Sequence, residues 1–391
     1  MITIETADKA LKSFYLDAVV DALDIKTNPF LAQLEKTANN VVGKDVRRVV
    51  RFGVNGGVSA GTEAGELPQA QGSNYVQFNV PLKNLYGTIE ISDKAIKASA
   101  NAEGAFVNLL NEEMDSLVKS ASYNFGRMLF GDGTGIVGRV EDVLPNNVLK
   151  LETTKNIVEG MAVEIFDFNG QRNDHMGVRR VVRVSRLENE IVLSGPSLYD
   201  SHVNKNDEIY VQGSRFNELT GLQAIFGDSD TLYGVERENS GYMYPYQQYI
   251  DGDISEEIIQ KAIDDIEERS GSKINFILCS PGVKRALASY FRSCQISLGH
   301  MTLNGGFDAM NFNGIPVVSD RFCPEGTMYL LNTNDFKIHQ LCDWQWLEGE
   351  GGKILKQIAN KPVFTATLVK YAELLCDRPG GQGALTGITE Y

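Results

Sequence analysis

Two glycine-rich stretches carry the spacing of catalytic or cofactor motifs. Gly57-Val58-Ser59-Ala60-Gly61 matches G-x-S-x-G, the pattern that presents a serine nucleophile on a sharp strand-to-helix turn. Gly133-Thr134-Gly135-Ile136-Val137-Gly138 matches G-x-G-x-x-G, which cradles a dinucleotide pyrophosphate at a helix N-terminus. Each chemistry depends on context. The elbow needs a buried strand ahead of the serine and a helix behind it, to supply the oxyanion hole. Glycines precede Ser59, and "TEAGELPQAQGSN" follows it with no apolar period. A mobile loop serine is the expectation there, and a Ser59 hydrolase stands last among the alternatives. The second motif follows a long helical pattern rather than a strand, and "RVEDVLPNN" after it is too interrupted for the required helix. Those glycines are expected to reverse the chain.

Other chemistry is sparse. His175, His202, His300 and His339 stand singly, with no H-E-x-x-H and no cysteine pair at ligand spacing. "DFNGQRND" lacks an EF-hand register and reads as a turn. Acid pairs such as Glu112-Glu113 and Glu267-Glu268 read as solvated helix faces. No catalytic residue, metal or cofactor is expected, and the chain is read as a non-enzyme. Lys44, Arg47, Arg48 and Arg51 cluster in one apolar-rich strand of an otherwise acidic chain. Two readings of them stay open: an exposed face balancing local charge, or an electrostatic contact with an acidic surface on a neighbouring subunit. With Gly56, Gly57, Glu63 and Glu66 in the following loop, they are the candidate subunit-interface residues.

The elements that must carry these residues come next. Residues 6–24 have helical spacing, with Leu11, Tyr15, Ala18, Val19, Ala22 and Leu23 on one side. A short second helix is expected from Pro29, capped by Asn28. Together they form an arm with little apolar mass of its own. "VVGKDVRRVVRF" and "NYVQFNVPLKNLYGTIEIS" read as strands joined by a long polar glycine loop. An isolated two-stranded ribbon is marginal in water, so its ordering must be offset by contacts elsewhere. A long helix is expected over 102–130, and a β-rich unit, a small barrel or sandwich, over 146–214. After Asp253 the texture is mixed α and β. "ISEEIIQKAIDDIEERSG" is an amphipathic helix stopped at Gly271, "INFILC" a buried strand, and Ser280-Pro281 the start of another helix.

The chain has 391 residues with 42% hydrophobic and 23% charged, as expected of a folded chain of two or three lobes. A formal charge of -14 disfavours gripping phosphate backbones or anionic membranes. The five cysteines, odd in number and without C-x-x-C, read as free thiols of a reducing cytoplasm. No signal peptide and no apolar run of about 18 residues is visible.

In their order, these pieces resemble the major capsid proteins of tailed bacteriophages, of the Hong Kong 97-type fold. "AGELPQAQGSNYVQFNVPLKNLYGTIEISDKAIKAS" looks like that family's E-loop, with Ser92 starting the next element. The long helix ending in "FGDGTG" looks like the spine helix. "INFILCSPGVKRALASYF" through "FNGIPVVSDRFCPEGTMYLLNTNDF" resembles the A-domain, and "VFTATLVKYAELLCDRPGGQGALTGI" the closing strand of the P-domain. The resemblance implies an α+β capsid fold: N-terminal arm 1–40, E-loop ribbon 41–91, P-domain with spine helix 92–145, β-rich insertion 146–214, A-domain 215–345 and P-domain closing strand 346–391. It implies self-assembly through pentamers and hexamers into an icosahedral shell around double-stranded DNA, in the virion, after assembly in the host cytoplasm. It also implies a portal, and a separate scaffolding protein, because the first helix begins within a few residues of Met1. An encapsulin-like compartment is the alternative. Some relatives crosslink an E-loop lysine to a neighbour's asparagine. Residues 52–81 hold no lysine, so that chemistry is not expected.

Overall fold

The computed structural model describes residues 28–94, 105–173, 177–198, 203–294, 299–303, 306–349 and 354–391. The helix expected over 6–24 lies outside the described residues. By its internal contacts the chain divides into two units, Met1–Tyr123 with Ala224–Tyr391, and Asn124–Gln223.

The first unit holds two large sheets. In one, the strand Val363–Cys376 is central. Lys83–Ser92 runs antiparallel along one side, and Phe336–Trp346 followed by Lys356–Gln357 along the other. Glu35–Thr37 adds a short parallel edge on Phe336–Trp346. The helix Ala105–Met128, roughly 36 Å long at 1.5 Å per residue, lies against this sheet. A Cβ on Gly87 would come 3.0 Å from the Leu117 side chain, so glycine permits the close approach. Leu85, Ile89, Ile91, Met114 and Val118 are buried. The helix expected from Pro29 is a single 3-10 turn, Leu31–Gln33, with Asn28 Oδ1 accepting from the Leu31 N–H at 2.9 Å. It stops because Leu34 turns extended to feed the edge strand.

Lys370 is buried in the central strand and reaches Asp343 Oδ1 at 2.5 Å and Gln340 Oε1 at 2.8 Å, while Lys36 Nζ holds Oδ2 at 2.9 Å. Burial pushes the Asp343 carboxyl up, but Lys370 and Lys36 outweigh it and hold it at about 2. Its unfolded value is about 3.9. The ionised form is therefore favoured in the fold, and this stabilisation is present above about pH 4 and lost as the pH falls toward about 2. Asp343→Asn is expected to lower stability at pH 7 and to flatten the acid limb over that window, as read from urea midpoints against pH. A parallel pair of curves would count against the assignment.

The second sheet has seven strands, in the spatial order Tyr246–Gly252, Gly383–Ile388, Met328–Leu331, Phe276–Cys279, Ile315–Ser319, Asp308–Phe312 and His300–Thr302. The helices Glu256–Ser270 and Pro281–Ser293 bury Ile259, Ile263, Ile266, Val283 and Leu287 with Ile277, Leu330 and Leu385. Their ends follow the sequence signals. Ser255 and Ser280 accept from the N–H groups of Ile258 and Val283, and Gly271 stops the first helix at φ +65°. Sheet membership cuts across the boundaries expected from sequence. Phe336–Trp346 belongs with Val363–Cys376 rather than with the seven-stranded sheet, and Gly383–Ile388 returns to that seven-stranded sheet after Val363–Cys376.

The second unit is a closed barrel of six strands, Ile136–Leu144, Val148–Leu151, Ala162–Phe166, Arg179–Ser185, Glu190–Leu193 and Glu208–Val211. It opens ten residues earlier than the expected start at 146, because Ile136–Leu144 closes it against Glu208–Val211 and Val148–Leu151. Within this unit the end of the long helix is tied down. Leu222 and Gln223 N–H groups donate to the Leu129 and Phe130 carbonyls at 2.8 and 3.2 Å. Arg127 and Glu218, both buried, form a two-pronged ion pair at 2.9 and 2.5 Å.

Candidate subunit interface

The basic strand Asp45–Phe52 sits in the middle of a three-stranded antiparallel ribbon, between Val41–Val42 and Asn74–Pro81. Its register places Arg47 opposite Asn79, Val49 opposite Gln77, and Arg51 opposite Tyr75. Strand alternation sends those six side chains to one face. The other face carries Val46, Arg48, Val50 and Phe52 with Phe78 and Val80.

The two faces differ in their partners. On the inner face Phe78 packs on Tyr233 with ring centroids 5.2 Å apart, and Phe52 stacks on Tyr242 at 5.4 Å. Arg48 forks onto Asp377, Nε to Oδ1 at 3.1 Å and Nη2 to Oδ2 at 2.8 Å. That hydrogen bond, with the charge of Asp377, pushes the Arg48 pKa up. Among the described residues the outer face has no such cover. Arg47 and Arg51 have no carboxylate partner among the described residues, and between them Val49 and Tyr75 are 59% and 64% exposed. Lys44 is exposed at the root, where its carbonyl accepts from the Leu82 N–H at 2.9 Å.

The four basic residues of the sequence cluster therefore separate. Lys44, Arg47 and Arg51 face solvent, while Arg48 is committed within the chain, because alternation turns every second residue inward. Nothing local to Arg48 indicates its partner, which lies 329 residues away.

Between the strands, residues 53–73 form the tip, with no helix or strand among them. Val54, Val58 and Leu67 are 86%, 84% and 89% exposed there, and Glu63 and Glu66 are also exposed. The tip's order is local: Gly57 N–H donates to Asn55 Oδ1 at 2.9 Å and Gly65 N–H to the Thr62 carbonyl at 3.1 Å. Neither Gly56 nor Gly57 has a left-handed φ. A Cβ at either would sit 3.1–3.3 Å from its nearest neighbour, so alanine would need only a small adjustment.

Ser59 is exposed in this tip with neither a strand delivering it nor a helix after it. The second motif is a chain reversal. Asp132 Oδ1 accepts from the Thr134 N–H and hydroxyl, and Gly133 and Gly135 take φ +86° and +88°. A Cβ on Gly135 would come within 2.6 Å of the Ser214 carbonyl oxygen. These glycines turn the helix end into the first barrel strand. Among the described residues no group of His, Cys, Asp or Glu is placed to hold a metal ion, and no helix is long and apolar enough to cross a membrane.

No protein-family model matches the sequence, and no curated protein matches it. The fold does have counterparts among solved structures. The chain is similar to the capsid asymmetric unit of cyanophage A-1(L), with TM-score 0.57 at 12% identity over 94% of each chain. It also resembles the SrpI encapsulin of Synechococcus elongatus, with TM-score 0.49 at 10% identity over 93% of this chain and 90% of that one. A chain of Mycobacterium phage Bobi aligns with TM-score 0.46 at 10% identity, covering 99% and 98% of the two chains. The fold is that of the tailed-phage capsid proteins, and the cyanophage alignment runs through both units of the chain.

Proposed function

We propose that this chain is a major capsid protein, whose copies assemble through pentamers and hexamers into an icosahedral shell around double-stranded DNA. The observation that carries the reading is the ribbon: it is long, its outer face is uncovered among the described residues, and its tip holds three aliphatic side chains that are exposed there. Exposed apolar groups gathered on one projecting element mark a surface made to be covered. On a capsid fold the natural cover is another copy of the chain, in head-to-tail contacts closed by symmetry. Lys44, Arg47, Arg51, Gly56, Gly57, Glu63 and Glu66 are the proposed interface residues, and Arg48 acts through the ribbon's attachment. A scaffolding protein and a portal are the expected accessory partners, and the virion the place of action. The role is structural, and Ser59 takes no part as a nucleophile.

Protease protection tests this. Trypsin has no site between Arg51 and Lys83, whereas Glu63 and Glu66 offer sites to a glutamate-specific protease. Free subunits are expected to be cut at those two residues, and the same chain in sedimenting particles is expected to resist. Equal cutting in both states would overturn the interface, and failure to form closed particles in negative stain, with or without co-expressed scaffold, would overturn the shell. Particles filled with a protein cargo in place of DNA would assign the shell to the encapsulin class.

A further inference from the structure

The ribbon's two strands are attached to their own subunit by different chemistry. The strand Asn74–Pro81 is held through buried and backbone groups. Phe78 is fully buried against Tyr233, and the Asn79 N–H donates to the Tyr233 carbonyl at 3.1 Å. The Tyr233 hydroxyl in turn accepts from the Cys376 N–H at 3.1 Å. Gly234, at φ +77°, lets the chains approach, since a Cβ there would lie 3.0 Å from the Asn79 carbonyl oxygen. The strand Asp45–Phe52 has Val46 buried at its root, and along the rest of its length it is held by the Arg48–Asp377 fork and by the stack of Phe52 on Tyr242. The ion pair is partly in water, with side chains 34% and 18% exposed.

The acceptor side of this pair is fixed in advance. The Asp377 N–H donates to the Asp335 carbonyl at 2.7 Å, and the Asp377 carbonyl accepts from the Tyr242 hydroxyl. The same tyrosine therefore stacks under Phe52 and holds the backbone of the residue that grips Arg48. By contrast, Arg48 reaches its partner on a long flexible stem. Of the two attachments, the wet ion pair is the one that opens first, because its energy is screened and its groups are readily resolvated. Opening it leaves that strand held only by the Phe52–Tyr242 stack and the buried Val46, which fix its two ends less tightly in angle, so the ribbon gains freedom to roll about the Tyr233 contact.

We propose that Arg48, Asp377 and Tyr242 form a clip that sets the angle at which the ribbon leaves its subunit, and that this clip, rather than the glycines of the tip, is the adjustable joint. Gly56 and Gly57 lie beyond the paired strands and take ordinary backbone angles, so they change the tip without re-aiming the strands. Arg48 and Asp377 are positioning residues: they touch no neighbour themselves but decide where Arg47, Val49, Arg51 and Tyr75 point. The consequence for assembly rests on the shell reading. The clip itself is a property of the free subunit.

The test uses the full chain as unassembled subunits in a Cys294→Ser, Cys342→Ser background. Nitroxide labels are placed at Gln77→Cys on the ribbon and Glu257→Cys on the body, both exposed positions. The parent is expected to give one narrow label-to-label distance. Arg48→Ala is expected to broaden it about twofold, and Arg48→Lys to broaden it less, as a rigid attachment becomes a mobile one. The exchange Arg48→Asp with Asp377→Arg is expected to restore the narrow distance. About 1 M salt, where the screening length falls to about 3 Å, is expected to broaden the parent but not Arg48→Ala. An Arg48→Ala distribution superposable on the parent, or a charge exchange no narrower than the single variant, would overturn the clip. A clip that opens as described in a chain that never forms particles would leave the clip standing and remove the shell reading.

Discussion

Replacing Glu218 with alanine is expected to destabilise the Asn124–Gln223 unit by about 3–5 kcal/mol, the range for stripping one partner from a buried ion pair. Glu218 and Arg127 side chains are each only 3% exposed. Arg127 sits in the last turn of the long helix, and its side chain is buried there. The truncation would leave a guanidinium with its two outer nitrogens robbed of their acceptors, beside an Arg127 Nε that already lacks a partner. The double substitution Arg127→Met with Glu218→Leu removes both charges and fills the same space. It is expected to recover most of the loss, because the cost lies in the uncompensated charge rather than in the missing attraction. Urea unfolding followed by hydrogen exchange in the barrel strands reads this unit separately from the rest of the chain. A Glu218→Ala midpoint equal to that of the parent would show that the pair is not closed in solution.

The neighbourhood of that pair also shows where sequence reading loses its grip. The helix boundary was legible within a few residues, because apolar residues recur at three- and four-residue steps and four glycines follow. The strand Ile136–Leu144 was not. It begins inside the glycine motif and carries Arg139, Glu141 and Asp142 on an irregular alternation, so no period of two marks it. Its place in the barrel comes from pairing with Glu208–Val211, a long-range choice that no local window contains. Glu35–Thr37 is harder still: three polar residues become a strand because Phe336–Trp346 offers an open edge.

The interface residues divide along the same line. Alternation was visible in "DVRRVVRF", and so was the ribbon itself, since valines and aromatics flank a loop that could not fold alone. Which face points outward was not visible. It is decided by Tyr233, Tyr242 and Asp377, which occupy the inner side of the ribbon and take Arg48 with them. Tyr233 stands at φ +55° ahead of Gly234, in a two-strand turn between Thr231–Leu232 and Val235–Glu236 that has no strong turn signature. Caps such as Ser255 and Ser280 are readable because their partners lie three residues away. Anchors such as Asp377 are not, because theirs lies at the other end of the chain.

Excising residues 53–73 and joining Phe52 to Asn74 through Asn-Gly is expected to abolish shells while leaving the subunit folded. Phe52 and Asn74 are directly opposed in the register, so a two-residue turn closes the hairpin without disturbing the pairs below. The excised segment contributes no buried residue to the body of the subunit. Shortening a loop lowers its closure entropy, so subunit stability is expected to stay within about 1 kcal/mol of the parent. In the shell the balance reverses. Val54, Val58 and Leu67 would each contribute about 1.5–3 kcal/mol on full burial against a neighbour, and the loss is repeated at every subunit contact. Because closure requires all contacts together, a deficit of that size per contact removes particles rather than merely slowing their formation. Thermal unfolding and analytical sedimentation of the same preparation separate the two effects. A tipless chain that sediments as normal shells would show that the tip is dispensable and that the uncovered face of the ribbon carries the contact alone.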